Sequence, residues 1–363
     1  MKNMGHCQKR KIKIVMKAVG GVLVVFLLGF FLLIHFYLSK INYQQDTENI
    51  VASVTSESVQ TFNVEETKDV QEESKVVENS DLELWPSEQN DDNVEVLDDK
   101  QVFNVLLIGY DSRDEDRRGR SDTNILISIN QKSEEITMTS IMRDCYVEIP
   151  GYGNNRINAA YAYEGGTLLV ETIEKNFEIH VDGYVAVNFF VFMDIIDVIG
   201  GVDIEVSEEE IEVMNEYIKN QNRLLGCRED EDLLNAEGVL HLNGKQTLAY
   251  VRVRYVGNSD FDRTQRQRIV LVEVFRKMKE MNLLELNELL NTLLPEVTTD
   301  ISKKDIFFLL LKTPVFSQYE LKTLRIPADG TFEESRIDGM EVLEMDLKKN
   351  IEFLKREIYT SGN

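Results

Sequence analysis

The sequence predicts an α/β fold, a mixed central β-sheet covered by helices on both faces, preceded by one transmembrane helix. Three observations predict it. A long apolar run near the amino terminus follows a cluster of basic residues. Short β-rich runs, VFNVLLIG, NILISI and ITMTSI, succeed one another from Val102 onward. Helical periods then alternate with further strands as far as Tyr359.

Residues 1–13 carry Lys2, Lys9, Arg10, Lys11 and Lys13 and read as a basic cytoplasmic tail. Residues 14–38 are almost continuously apolar around AVGGVLVVFLLGFFLLI, and a helix of about 20 residues crosses about 30 Å of hydrocarbon. No small-x-small cleavage site follows Leu38, so an uncleaved anchor is favoured over a signal peptide. The expectation is a single-pass protein of the cell membrane, amino terminus in the cytoplasm, with everything beyond the span outside the cell. Residues 39–98 are rich in Glu, Asp, Ser, Gln and Asn and read as a flexible acidic stalk, too polar to offset the entropy of ordering.

The folded domain is expected over 99–363. Helical patterns fall at Gly166–Phe177, Asn188–Ile199, Ser207–Gln221, Arg263–Met281, Lys303–Leu311 and about Val342–Tyr359. Strands are expected between them at Gly183–Val187, Val202–Val206 and Thr247–Tyr255. The run Asn188-Phe-Phe-Val-Phe-Met-Asp-Ile-Ile is apolar all round, the pattern of a buried helix.

With 64 acidic against 40 basic residues, the net charge of −24 argues against a general nucleic-acid binder. Any basic site must be local. Cys7, Cys145 and Cys227 are too scattered for a disulfide scaffold or a paired-cysteine zinc site, although Cys145 and Cys227 could pair outside the cell. Four histidines disfavour a histidine-centred metal enzyme.

Arginines and aspartates concentrate in four places. Asp111 follows the first strand, and Arg120 and Asp122 introduce the second, so two carboxylates flank one loop at adjacent strand ends. Such a pair suits a hard cation, Mg²⁺ or Mn²⁺, or else a solvated loop with salt bridges. Arg143 stands where the third strand gives way to a loop. Arg252 and Arg254, at i and i+2 of the expected strand, would share one face about 7 Å apart and would need an anion or carboxylates between them. Asp260 precedes a helix carrying Arg263 and Gln267 at i and i+4, with Asp262 and Gln265 patterned as a capping box and Arg266 and Arg268 read as solvent-facing. No GxxxxGK[ST], GxGxxG or GxSxG motif is present, so the substrate should bring its own activated phosphate.

Together NVLLIGYDSR, GRSDTNILISI, ITMTSIMRD, RINAAYAYEGG, DGYVAVNFFVFMDIIDVIGGVDIEV, HLNGKQTLAYVRVRYVGNSDF and DRTQRQR closely resemble the LytR-CpsA-Psr family of Gram-positive-type cell envelopes. The resemblance implies a phosphotransferase that moves a glycopolymer, such as teichoic acid or capsule, from a polyprenyl-pyrophosphate carrier to a peptidoglycan hydroxyl. It further implies a divalent metal, Mg²⁺ or Mn²⁺, at Asp111 and Asp122. Arg143, Arg252, Arg254, Arg263 and Gln267 match the pyrophosphate-binding positions, with Arg120 added beside the metal loop. Asp260 matches the catalytic carboxylate, acting with Arg143 and Arg263. Helices such as that after Asn188 would line a lipid tunnel. Two rival functions remain: a hydrolase of the same lipid-linked glycan, and a non-catalytic envelope regulator that binds anionic glycopolymer.

Overall fold

A computed structural model describes residues 39–43, 96–111, 118–254, 256–257, 259–282, 285, 288–289, 291 and 294–360. Segment 14–38, most of the segment expected as a stalk, Cys7 and the charged loop 112–117 lie outside the described residues. No helix among the described residues is long and apolar enough to cross a membrane.

The centre is a seven-stranded mixed sheet. Its strands are β1 (Asn42–Tyr43), β2 (Val102–Tyr110), β3 (Ser121–Asn130), β4 (Glu135–Ile141), β7 (Gly183–Asn188), β10 (Thr298–Thr299) and β11 (Glu320–Ile326), in the order β1-β10-β7-β2-β3-β4-β11. The β2–β3–β4 meander is antiparallel, whereas β7 joins β2 and β11 joins β4 in parallel. Two-stranded ribbons complete the β-structure: β5 (Tyr146–Ile149) with β6 (Gly153–Arg156), β8 (Val202–Val206) with β9 (Gly238–Leu242), and β12 (Phe332–Ile337) with β13 (Met340–Met345). Both ends of the expected stalk make ordered contacts: β1 pairs with β10, and Leu97 bridges to Ile179.

The helices are α1 (Asn158–Glu164), α2 (Gly166–Phe177), α3 (Phe189–Val198), α4 (Glu208–Leu225), α5 (Gly244–Arg252), α6 (Ser259–Glu280), α7 (Lys303–Phe316) and α8 (Leu347–Tyr359). Two cores result. In the first, Leu106, Ile108, Leu126 and Tyr184 of the sheet pack with Leu169, Ile173 and Phe177 of α2 and with Leu354 and Ile358 of α8. The second joins α3, α4, α5 and α6 to the β8–β9 ribbon through Ile196, Ile204, Met214, Ile218, Tyr250 and Val270.

Strand β2 shows why the two faces differ. Val102, Asn104, Leu106 and Ile108 are buried under the first core, whereas Phe103, Val105 and Leu107, pointing the other way, are only half-buried. Register carries that incompletely covered face across Ile127 and Ile129 of β3 and Val185 and Val187 of β7.

Two elements differ from expectation. The strand expected at Thr247–Tyr255 is replaced over its described residues: α5 runs from Gly244 to Arg252 and the chain then leaves the helix. Asn243 accepts from the Gln246 backbone N–H while the Gln246 side chain accepts from the Asn243 N–H, a reciprocal cap that starts a helix. Thr247 and Tyr250, three apart, then share its buried side. The apolar Val342–Leu343 pair belongs to β13 rather than to the last helix, which Asp346 caps one turn later. Residues Asp338 and Gly339, both at positive φ, form the tight turn that folds β13 back on β12.

Candidate functional site

Four segments bring charged groups together at one end of the sheet. Strand β4 ends at Ile141, and Met142 donates to the Ile326 carbonyl of β11 while the Asn158 N–H at the start of α1 donates to the Arg143 carbonyl. The turn holding Arg143 and Asp144 is therefore fixed from both sides. A bulge between Gly109 and Tyr110 leaves Asp122 at the start of β3 without a strand partner, beside the end of β2. The first turn of α6 supplies Asp260 and Arg263, three apart on one helical face.

Arg143 donates to Asp122 at 2.8 Å and lies 3.3 Å from Asp144 and 3.8 Å from Asp260. Arg263, almost wholly buried at 3% side-chain exposure, meets Asp260 at 2.9 Å. Arg254 completes the ring at 3.8 Å from Asp122 and 3.7 Å from Asp260. Arg156, at the end of β6, lies 3.2 Å from the other Asp144 oxygen. Four guanidinium groups thus surround three carboxylates.

The electrostatics follow from that crowding. Burial alone would raise the Asp122 and Asp260 carboxyls. The neighbouring guanidiniums outweigh it: Arg143, Arg263 and Arg254 hold Asp122 below the ordinary carboxylate range, and Arg263, Arg143 and Arg254 do the same for Asp260. Asp144 goes the other way, because burial and the Asp260 charge outweigh its arginine partners and raise it. Arg263 is lowered to about 10, chiefly by burial and then by repulsion from Arg143 and Arg254. Four guanidiniums against three carboxylates leave the cluster with excess positive charge suited to an anion.

Arg254 is positioned by residues that sequence reading left on the surface. Arg266 is buried, pairs with Glu210 at 2.7 Å and donates to the carbonyls of Val253 and Val256, gripping the chain on both sides of Arg254. The other Glu210 oxygen accepts from the Ser207 N–H in the cap of α4. Asp144 and Arg156 are likewise site residues that the spacing did not reveal; the adjacency of Arg143 and Asp144 was the only available signal.

The remaining expected residues divide. Gln267 lies one turn beyond Arg263 on α6 and is half-buried. Arg252, the last residue of α5, does not share a strand face with Arg254; its guanidinium lies over the rings of Phe189 and Tyr217, at 5.2 and 5.4 Å. Arg120 is exposed just before β3, and among the described residues no ion pair ties it to the cluster. Asp262 is not a helix cap, since α6 already begins at Ser259. Cys145 is buried and Cys227 partly exposed, and both are free thiols.

Asp111 directly follows β2 and Asp122 lies in the bulge at the start of β3, so both stand at the same end of one strand pair. Among the described residues no group of three or more His, Cys, Asp or Glu side chains is placed to hold a metal. A hard cation here would find two carboxylates and would draw the rest of its shell from phosphate oxygens and water, and one of the two, Asp122, is already engaged by Arg143 and Arg254.

The chain is 30% identical over 271 residues to the polyisoprenyl-teichoic acid–peptidoglycan teichoic acid transferase TagU of Enterococcus faecalis, covering 73% of this chain and 82% of that protein. The solved structure of TagT bound to LI-WTA superposes with a TM-score of 0.57 at 29% identity, covering 72% of this chain and 92% of that one. The LytR-CPS2A-psr family protein YwtF (TagT) with bound octaprenyl pyrophosphate lipid superposes at 0.53 with 27% identity, over the same shares of the two chains. The profile of the LytR_cpsA_psr family matches residues 52–358, and the chain belongs to that family.

Proposed function

We propose that the arginine–aspartate cluster clasps the diphosphate of a polyprenyl-linked anionic glycopolymer of the teichoic acid kind and transfers the polymer to a peptidoglycan hydroxyl. The observation that carries this reading is the convergence of Arg143, Arg254 and Arg263 on Asp122 and Asp260. Three forked cations in one cluster match the oxygens of a diphosphate. Likeness to transferases and to a protein solved with octaprenyl pyrophosphate supports the substrate class.

In the reaction the acceptor hydroxyl oxygen attacks the phosphorus that bears the sugar, and the bond from that phosphorus to the bridging oxygen breaks. Polyprenyl phosphate leaves and a sugar phosphodiester remains. Asp260, kept ionised by its arginines, takes the hydroxyl proton. Arg143, Arg254 and Arg263 offset charge that grows on the departing phosphate, the contribution expected to dominate phosphoryl transfer. Gln267, one turn beyond Arg263, would donate to a phosphate oxygen, and Arg252 and Arg120 stand beside the clasp in sequence. Asp111 and Asp122 would hold Mg²⁺ or Mn²⁺, which when bound would neutralise diphosphate charge. The apolar segment 14–38 after a basic tail supports a membrane anchor with this domain outside the cell.

The test is incubation of the purified full chain with a synthetic lipid-diphosphate glycan, with and without peptidoglycan oligomers, and mass spectrometry of the products. Polymer should become attached to peptidoglycan only when acceptor is present, and Arg263→Ala should lower the rate at least about a hundredfold, the scale of losing one preorganised transition-state donor. Glycan phosphate released at the same rate without acceptor would instead make the protein a hydrolase.

A further inference from the structure

A second basic site lies outside this cluster. A cleft of about 680 Å³ runs along the edge strand β11, lined by Arg325 of that strand, Arg268 of α6, and Lys349, Glu352 and Arg356 of α8, with Asp329 on the connecting loop. Four cations therefore face two acids, in a chain whose overall balance is 40 bases to 64 acids.

The cations are held in different ways. Arg325 lies 4.6 Å above the Phe261 ring, which stacks on Phe332, and also donates to the Pro327 carbonyl and pairs with Asp329. Arg356 lies over Phe353 at 5.3 Å and pairs with Glu357, and Lys349 pairs with Asp346 at 2.8 Å. Arg268 differs: its Nη1 is buried and has no hydrogen-bond partner. A buried guanidinium nitrogen left without an acceptor is costly unless a ligand supplies one. Burial chiefly, and then the Arg325 charge, lower its pKa to about 10.

Helix α6 links the two sites. Asp260, Arg263 and Gln267 face the catalytic cluster, whereas Phe261 and Arg268, seven residues apart, share another face about 10 Å long that borders the cleft. Arg268 of the cleft thus stands eight residues, about 12 Å along the helix, from the proposed catalytic base. We propose that it is an anion subsite that holds a backbone phosphate of the glycopolymer while the diphosphate occupies the cluster, an inference that rests on the transferase reading above. The donor polymer is covalently continuous with the diphosphate, so a phosphodiester a repeat unit away arrives there without a separate binding event.

The test uses the full chain in detergent with two probes, a fluorescent glycerol phosphate hexamer for the cleft and farnesyl pyrophosphate for the cluster. Arg268→Ala should weaken hexamer binding about tenfold, the scale of one charge-assisted contact, and leave farnesyl pyrophosphate affinity unchanged. Lys349→Gln, at an exposed position, should weaken the hexamer about threefold and reduce its salt sensitivity, so the question is decided even if Arg268→Ala unfolds. Wild-type protein that bound farnesyl pyrophosphate but not the hexamer, or variants that held the hexamer as tightly as wild type, would overturn the subsite alone. A muropeptide lacking phosphate that displaced the hexamer at equal concentration would overturn it in favour of an acceptor site. Failure to bind farnesyl pyrophosphate would instead sink the reading of the catalytic cluster.

Discussion

At the scale of single residues, Asp122 and Asp144 touch the same guanidinium yet titrate in opposite directions. The sign of each shift has a consequence for stability. Asp122 has a folded pKa below its unfolded value, so its ionised form stabilises the fold above the unfolded pKa of about 3.9, and that contribution is lost as pH falls through the lower folded value. Asp144 has a raised folded pKa, so its ionisation costs stability as pH rises through the window between the two values. Asp122→Asn should therefore lower the melting temperature at neutral pH, with the deficit shrinking as pH falls below the unfolded value. Asp144→Asn, which keeps a hydrogen-bonding group beside Asp260, should leave the neutral-pH melting temperature within a few degrees of wild type. Melting curves across pH for both variants check this, and equal deficits at neutral pH would contradict it. Arg143, Asp122, Arg254, Asp260 and Arg263 were legible as motif positions, since each stands in a run that resembles the family. Asp144 and Arg156 were not, because their part depends on the β5–β6 ribbon returning Arg156 to the turn after β4.

At the scale of elements, the signals were present but were read with the wrong period. TLAYVRVRY alternates like a strand over a few residues, but the reciprocal cap at Asn243 and Gln246 lies just upstream and commits the segment to a helix. Gly244 allows it to dock, since a Cβ there would stand 2.2 Å from the Met193 carbonyl oxygen of α3. The consequence for the site is large, because leaving the helix at Val253 separates Arg252 from Arg254 and sends one to aromatic rings and the other to the cluster. Helices with long, regular apolar periods such as α2, and strands such as β8, needed no such context. What holds the post-helix segment is the buried Arg266–Glu210 pair, and removing one partner of such a pair typically costs about 3 kcal/mol or more. Glu210→Gln should lower unfolding free energy by about that amount in urea titrations and, by loosening Val253 and Val256, also weaken prenyl pyrophosphate binding. A stability loss with unchanged ligand affinity would show that Arg254 holds its place without the clamp.

At the scale of the whole molecule, the sheet separates two jobs. One face is sealed by α2 and α8 and serves as the stable core, while Phe103, Val105, Leu107, Ile127, Ile129, Val185 and Val187 leave the other apolar but half-buried. Along β2 that strip runs from Gly109, beside Asp122, to Phe103, about 20 Å at the rise of a strand. An apolar strip ending at a cluster of guanidiniums has the polarity of a prenyl diphosphate, tail on hydrocarbon and head among cations. The family resemblance points instead to the helix after Asn188, which its apolar pattern alone marks as core, and α3 does bury Val191, Met193 and Ile196 in packing while exposing Phe190. If the sheet face seats the lipid, a bulky side chain in mid-strip should obstruct a long prenyl chain and spare a short one. Val105→Trp should weaken binding of an octaprenyl pyrophosphate about tenfold, equivalent to about 1.4 kcal/mol of lost apolar contact, and leave farnesyl pyrophosphate within about twofold. Parallel titrations of the two lipids decide it: equal losses would mean a distorted head-group site, and no loss for either would place the prenyl chain against other elements, α3 among them.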